Sequence, residues 1–132
     1  MSEIKIGIIK EGKVPIDRRV PITPSQVKEI LKLHDGVTIK CQRSDIRCFE
    51  DSEYEKAGAK LVDSVEDCDV ILGVKEVPLE MLVDGKMHFF FSHTIKKQEY
   101  NRHLLQAILE KKITLIDWEC LTDAAGRRLI AF

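Results

Sequence analysis

Two continuous apolar runs, Asp69-Val-Ile-Leu-Gly-Val-Lys75 and Met87-His-Phe-Phe-Phe-Ser-His93, constrain this chain most. A strand with one wet face alternates apolar and polar residues. These runs do not alternate, so each reads as a strand buried on both faces. Strands of that kind belong to parallel sheets covered by helices on both sides, and parallel pairing demands crossover connections.

The rest of the sequence supplies the crossovers. A first strand runs from Ile4 to Ile9. Thr23-Pro24-Ser-Gln26 then opens a helix, with Thr23 as N-cap, Pro24 at the first helical position and Gln26 closing a capping box. Val27, Ile30, Leu31 and His34 follow on one face, and Gly36 stops the helix. Val37 to Cys41 is a second strand, and Ser52-Glu-Tyr-Glu55 reads as a second capping box whose helix ends at Gly58. Lys60 to Val62 is a brief strand, and Ser64 to Asp67 a helical turn. Ile95 to Lys112 reads as the longest helix, with Tyr100, Leu104 and Ile108 on one face, before a last strand at Thr114-Leu-Ile-Asp117. The expected class is α/β, a doubly wound, mostly parallel sheet with helices on both faces, of flavodoxin-like form.

At 132 residues this is one domain, 1–132, long enough to bury a core. A net charge of -1 gives no electrostatic footprint for nucleic acid or an anionic membrane, and no apolar stretch reaches bilayer length. Met1-Ser-Glu runs directly into strand pattern, leaving no room for a leader, and Cys41, Cys48, Cys68 and Cys120 are widely spaced. They read as reduced, mostly buried thiols of a cytoplasmic protein, with no metal site. Gly126-Arg-Arg-Leu-Ile-Ala-Phe132 stops inside an apolar run, which reads as the amino-terminal part of something longer.

In an open parallel sheet, ligands bind beyond the carboxyl ends of the strands. Lys75 and His93 end two strands there, and Asp117 and Glu119 follow a third. The loop after the first strand carries Arg18 and Arg19 to the same edge. Lys75 reads either as a partly desolvated proton-exchanging amine or as a solvated lysine in a turn. His93 is either a general acid or base or a polar cap before Ile95. Arg19 either forks onto a substrate carboxylate or pairs with Asp17 or Glu11. Glu119 has the charge to bind an amine. Together at one sheet edge, the four favour a site. His34, His88 and His103 read as structural or exposed. No G-x-G-x-x-G and no G-x-x-x-x-G-K-[ST] occurs, so a nucleotide, if used, belongs to a domain outside residues 1–132.

At these residues the chain resembles the amino-terminal domain shared by alanine dehydrogenase, the transhydrogenase α subunit and lysine-forming saccharopine dehydrogenase. Asp17-Arg-Arg19-Val-Pro-Ile-Thr-Pro24 is similar to that superfamily's E-x-R-x-x-x-T-P segment. Gly73-Val-Lys75-Glu-Val-Pro78 and Phe91-Ser-His93 resemble its catalytic-lysine and catalytic-histidine strand ends. Phe90-Phe-Ser-His-Thr-Ile-Lys-Lys-Gln98, Thr114-Leu-Ile-Asp-Trp-Glu119 and Gly126-Arg-Arg128 look most like the lysine-ketoglutarate reductase branch. The resemblance implies Lys75 and His93 as the acid/base pair, Arg19 as the carboxylate-binding arginine, and Glu76 and Glu119 as acidic residues near the substrate amine. Arg128 matches a family arginine, placed here with the substrate-binding residues. The implied reaction joins lysine to 2-oxoglutarate through an imine reduced by NAD or NADP, or runs in reverse. The cofactor would be bound mainly by a following dinucleotide domain, so residues 1–132 alone are expected to be inactive.

Two other readings compete. Alanine dehydrogenase would share Arg19, Lys75 and His93 but has no need of Glu119 for a second amino acid. A stand-alone ligand-binding module, such as a phosphoacceptor domain, would want an acidic cluster after the first strand, where Lys10-Glu11 stand instead. The oligomeric state stays open, a homo-oligomer included.

Overall fold

The computed structural model describes residues 3–130. Six strands form one sheet, every pairing parallel: β1 (Ile4–Ile8), β2 (Val37–Gln42), β3 (Lys60–Val62), β4 (Val70–Leu72), β5 (Met87–Phe90) and β6 (Thr114–Asp117). Three α-helices connect them: α1 (Pro24–Leu33), α2 (Asp51–Lys56) and α3 (Arg102–Glu110). The strand order is β3-β2-β1-β4-β5-β6. Without the three-residue edge strand β3 this is the flavodoxin order, and β3 extends it to six. The winding reverses between β1 and β4, which makes their carboxyl ends the topological switch point.

The two faces carry separate cores. Ile8, Ile39 and Cys41 pack with Val27 of α1 and Tyr54 of α2. Ile9, Ile71 and Phe90 pack with Leu104 and Ile108 of α3 and with Leu82. Ile8 and Ile9 are neighbours in sequence and go to opposite faces, as the pleat dictates. This two-sided burial explains why the strand runs lack polar alternation.

The first helix forms as its sequence predicts. The Gln26 N–H donates to Thr23 Oγ1, and the Gln26 side chain accepts from the Thr23 N–H. Two helices differ from expectation. α2 is capped by Glu50, whose N–H donates to Glu53 at 2.8 Å, and not by Ser52. The long helix expected from Ile95 to Lys112 is broken into 3-10 turns at Thr94–Lys96 and Glu99–Asn101 before α3 begins. His93 and Lys97, both left-handed at φ 59 and 54, bracket the first turn and interrupt the helical ladder. Tyr100 consequently points out, two-thirds exposed, while Leu104 and Ile108 remain buried. All four cysteines are free; Cys41 and Cys68 are buried, whereas Cys48 and Cys120 are exposed. No helix among the described residues is long and apolar enough to cross a membrane.

His88, at the centre of β5, is fully buried against Phe90. Its Nε2 accepts the Val83 N–H at 3.1 Å, and burial pushes its pKa down to about 4. The unfolded chain binds this proton near pH 6.5, so the neutral imidazole's stabilisation is complete above that pH and is lost as pH falls toward 4. The loss at pH 4 amounts to ~3 kcal/mol. Urea unfolding at pH 7 and pH 4 should show it, and His88→Leu should flatten the difference. An equally steep acid loss in the variant would acquit His88.

Candidate active site

Strand ends assemble the site. β4 finishes at Leu72, and Gly73-Val-Lys75 continues beyond it, held to β5 by the Gly73 N–H on the Phe89 carbonyl and the Phe91 N–H on the Val74 carbonyl. β5 finishes at Phe90, so Phe91, Ser92 and His93 leave the sheet beside Lys75. Arg19, Lys75, Phe91, His93, Lys96, Glu119 and Arg128 line one cleft of about 270 Å³. The sequence reading nominated five of these seven; it missed Phe91 and Lys96. A larger hollow, about 410 Å³, lies along the Ser44–Ser52 loop, but no strand-end residues converge on it.

The sixth nominated residue, Glu76, stands outside that lining. Its carboxylate is buried behind His93, 8% exposed, and pairs with His93 Nδ1 at 2.7 Å and with the Lys13 ammonium. Burial acts to raise its pKa, but the hydrogen bonds from Lys13 and His93 outweigh that and hold it below the ordinary glutamate value. An ionised carboxylate only accepts, so Nδ1 carries the proton and donates. Nε2 of the neutral ring is therefore the basic nitrogen, on a ring that lines the cleft. The Phe91 ring lies near-parallel to the imidazole, with ring centroids 6.4 Å apart.

Arg19 pairs with Asp17, the second of its two readings, and also lies in the cleft lining. Its Nε and Nη2 donate to Asp17, the shortest contact being 2.7 Å, and the same guanidinium lines the cleft. The arginine's hydrogen bonds, helped by the nearby charge of Lys75, hold the Asp17 pKa down. The Lys75 ammonium itself makes no hydrogen bond or ion pair among the described residues. Across the cleft Lys96 sits 3.5 Å from Glu119, whose Oε2 is buried without a hydrogen-bond partner. Four cations and an imidazole thus share the cleft with one carboxylate. That distribution suits a ligand with more than one anionic group and a single cationic one.

Two carboxylates hold the strand ends, Asp117, which the sequence places at this edge, and Glu11, which it offers as a partner for Arg19. Asp117, 8% exposed, accepts from the Ser92 N–H at 3.2 Å, from the Ser92 hydroxyl, and from the Glu119 N–H at 2.9 Å. It ties the histidine loop to the Glu119 turn. Trp118 adds a second tie, its indole N–H donating to the Gly73 carbonyl at 2.8 Å. Glu11, after β1, accepts from the Val74 N–H at 3.1 Å and the Lys75 N–H at 2.7 Å. Burial pushes its pKa up against the pull of those two amides.

Glu11 also settles the fit of a dinucleotide. A pyrophosphate would use main-chain amides at the switch point. Those of Val74 and Lys75 are taken by a carboxylate, and no glycine fingerprint follows β1. The residues present do not cradle a nicotinamide cofactor. No group of three or more His, Cys, Asp or Glu among the described residues is arranged to hold a metal.

A doubly wound, all-parallel α/β domain with a strand-end cleft of mixed charge is the class these features define. The chain belongs to the family described as alanine dehydrogenase/PNT, N-terminal domain, whose profile matches residues 7–132. Among curated proteins, it is 43% identical to mouse (Mus musculus) mitochondrial alpha-aminoadipic semialdehyde synthase over 116 residues, 88% of this chain and 12% of that protein. It is 36% identical to lysine-forming, NAD(+) saccharopine dehydrogenase of Emericella nidulans, covering 100% of this chain and 36% of that one. Among solved structures, an L-alanine dehydrogenase superposes with a TM-score of 0.77 at 24% identity, over 93% of this chain and 34% of the other. The chain thus spans between an eighth and about a third of the length of these proteins.

Two measurements check this geometry. Asp117→Ala leaves two main-chain amides and a hydroxyl without their acceptor, and each such loss costs about 1–3 kcal/mol. Urea unfolding should therefore show at least ~3 kcal/mol of destabilisation, and a shift below ~1 kcal/mol would mean the tie is dispensable. Calorimetric titration of NADH or NADPH into the 132-residue chain should show no micromolar binding. A micromolar constant would mean that the strand ends hold phosphate despite Glu11.

Proposed function

We propose that this domain is the substrate half of an NAD- or NADP-dependent saccharopine dehydrogenase of the lysine-forming type, joining lysine to 2-oxoglutarate or splitting the product. The observation that carries the reading is one cleft shared by Lys75, the Glu76-backed His93, three further cations and the Glu119 carboxylate, whose Oε2 lacks a hydrogen-bond partner. Saccharopine chemistry needs this assortment: cations for carboxylates, an anion for an amine, and two proton-exchanging groups for carbinolamine and imine steps. The relatives of 43% and 36% identity bear names from the same chemistry, whereas the alanine dehydrogenase likeness, at 24%, is one of fold.

The residues divide the work. Arg19 and Arg128 take carboxylates, Arg19 with its guanidinium plane set by Asp17. Glu119 receives the lysine ammonium and gains the partner its Oε2 lacks. His93 Nε2 removes a proton, and Glu76 stabilises the imidazolium that results through Nδ1. Lys75 exchanges the second proton, its uncommitted ammonium flanking the same cleft. Glu76 thus contributes through His93 and does not touch the amine. Hydride transfer belongs to the nicotinamide cofactor, for which this domain has no cradle. Four free thiols suit a reducing setting, and the reading places the enzyme in the cytoplasm. It acts on small molecules, with homo-oligomers allowed.

Steady-state kinetics in the full natural chain carrying this domain tests the assignment. Saccharopine should be oxidised, and alanine should not; the reverse would establish the alanine dehydrogenase reading. Lys75→Met and His93→Gln should lower turnover by on the order of a hundred- to ten-thousandfold, the usual contribution of a positioned acid or base. Arg19→Ala should mainly raise the Michaelis constant for 2-oxoglutarate, because its fork is made in ground and transition states alike. Near-normal turnover in the first two variants would remove their proton-transfer roles.

A further inference from the structure

The proton transfers assigned to Lys75 and His93 leave Glu11 without a task, although its carboxylate sits at the carboxyl end of β4, at the switch point. On the β5 side the strand end is paired as far as Phe91. On the β1 side the last main-chain rung is the Ile9 N–H on the Leu72 carbonyl. Beyond it the Val74 and Lys75 amides have no strand to pair with, and the side chain of Glu11 extends the ladder in place of one. Gly73 makes room for it: a Cβ there would lie 3.4 Å from the Glu11 carboxylate and 3.0 Å from Ile9.

We propose that Glu11 is the positioning residue of Lys75, a built-in anion that occupies the switch-point crevice and fixes the strand end from which the lysine reaches the cleft. Two adjacent amides held by one carboxylate restrain the backbone on both sides of the Val74–Lys75 peptide bond. The direction of the Lys75 side chain follows from that backbone. A charged acceptor makes these hydrogen bonds stronger than a neutral carbonyl would. A catalytic amine displaced by as little as an ångström loses about a hundredfold in rate, so the restraint bears on turnover as well as on folding.

The test uses Glu11→Ala and Glu11→Gln in the full natural chain carrying this domain, with three readouts. Amide hydrogen exchange at Val74 and Lys75 should quicken at least about tenfold in Glu11→Ala while Ile71 and Leu72 keep their protection. In Glu11→Gln, whose neutral amide oxygen can still accept from both N–H groups as Glu11 Oε1 does, both amides should quicken, but less than in Glu11→Ala. The rate at which acetic anhydride acylates Lys75, followed by mass spectrometry, should change in parallel. Saccharopine turnover should fall on the order of ten- to a hundredfold in Glu11→Ala with little change in the Michaelis constant. Millimolar formate should restore all three toward wild type by refilling the carboxylate position, which a general loss of folding would not allow. Unchanged exchange in both variants, or faster exchange with unchanged Lys75 reactivity, overturns the proposal. Only the turnover readout rests on the proposed function. A wild-type chain inactive on saccharopine would refute that reading, while exchange, acylation and formate rescue would still decide the role of Glu11.

Discussion

Where a parallel sheet ends, its last main-chain N–H groups must find acceptors, because leaving them buried and unpaired costs about as much as a lost hydrogen bond. In this domain carboxylates take that place. Asp117 satisfies the end of β5 and the turn after β6; Glu11 satisfies the end of β4. Each reaches across elements distant in sequence, so the strand ends lock to one another as well as to the core. The cleft inherits its geometry from these locks. His93 leaves the chain one residue after Ser92, and Lys75 is itself one of the clamped residues.

The same arrangement separates this sheet from a nucleotide-binding one of similar winding. In both, amides converge at a switch point and favour an anion. Here the anion is a side chain covalently part of the domain, and the cleft lies to one side, among Arg19, Lys75, His93, Glu119 and Arg128. Behind His93 the electrostatics continue inward: Lys13 holds Glu76, Glu76 holds Nδ1, and the imidazole's tautomer follows.

Much of this was legible in the sequence because it rests on local signals. Strands buried on both faces announce themselves as unbroken apolar runs, and the Thr23–Gln26 box marks α1 correctly. Lys75 and His93 stood out because a basic residue closes each run. The misreadings have a common source. Residues 95–112 contain good helix formers, and local propensity has no term for the left-handed turns at His93 and Lys97 that a tertiary site imposes. Glu50 is a poor N-cap by type, so Ser52 looked better. Glu11 and Asp117 gave no signal of their roles, since a sequence shows which carboxylates exist but not which amides the fold will leave unpaired.

The left-handed backbone of His93 carries a further implication. A β-carbon in that conformation costs on the order of 1–2 kcal/mol relative to glycine, and here it carries an imidazole that lines the cleft. Selection for stability alone would favour glycine there and remove the imidazole from the cleft. The position therefore marks a conflict between durability and chemistry within a single residue. Variants recovered by screening this domain for heat resistance are apt to gather where the site, rather than the core, is under tension.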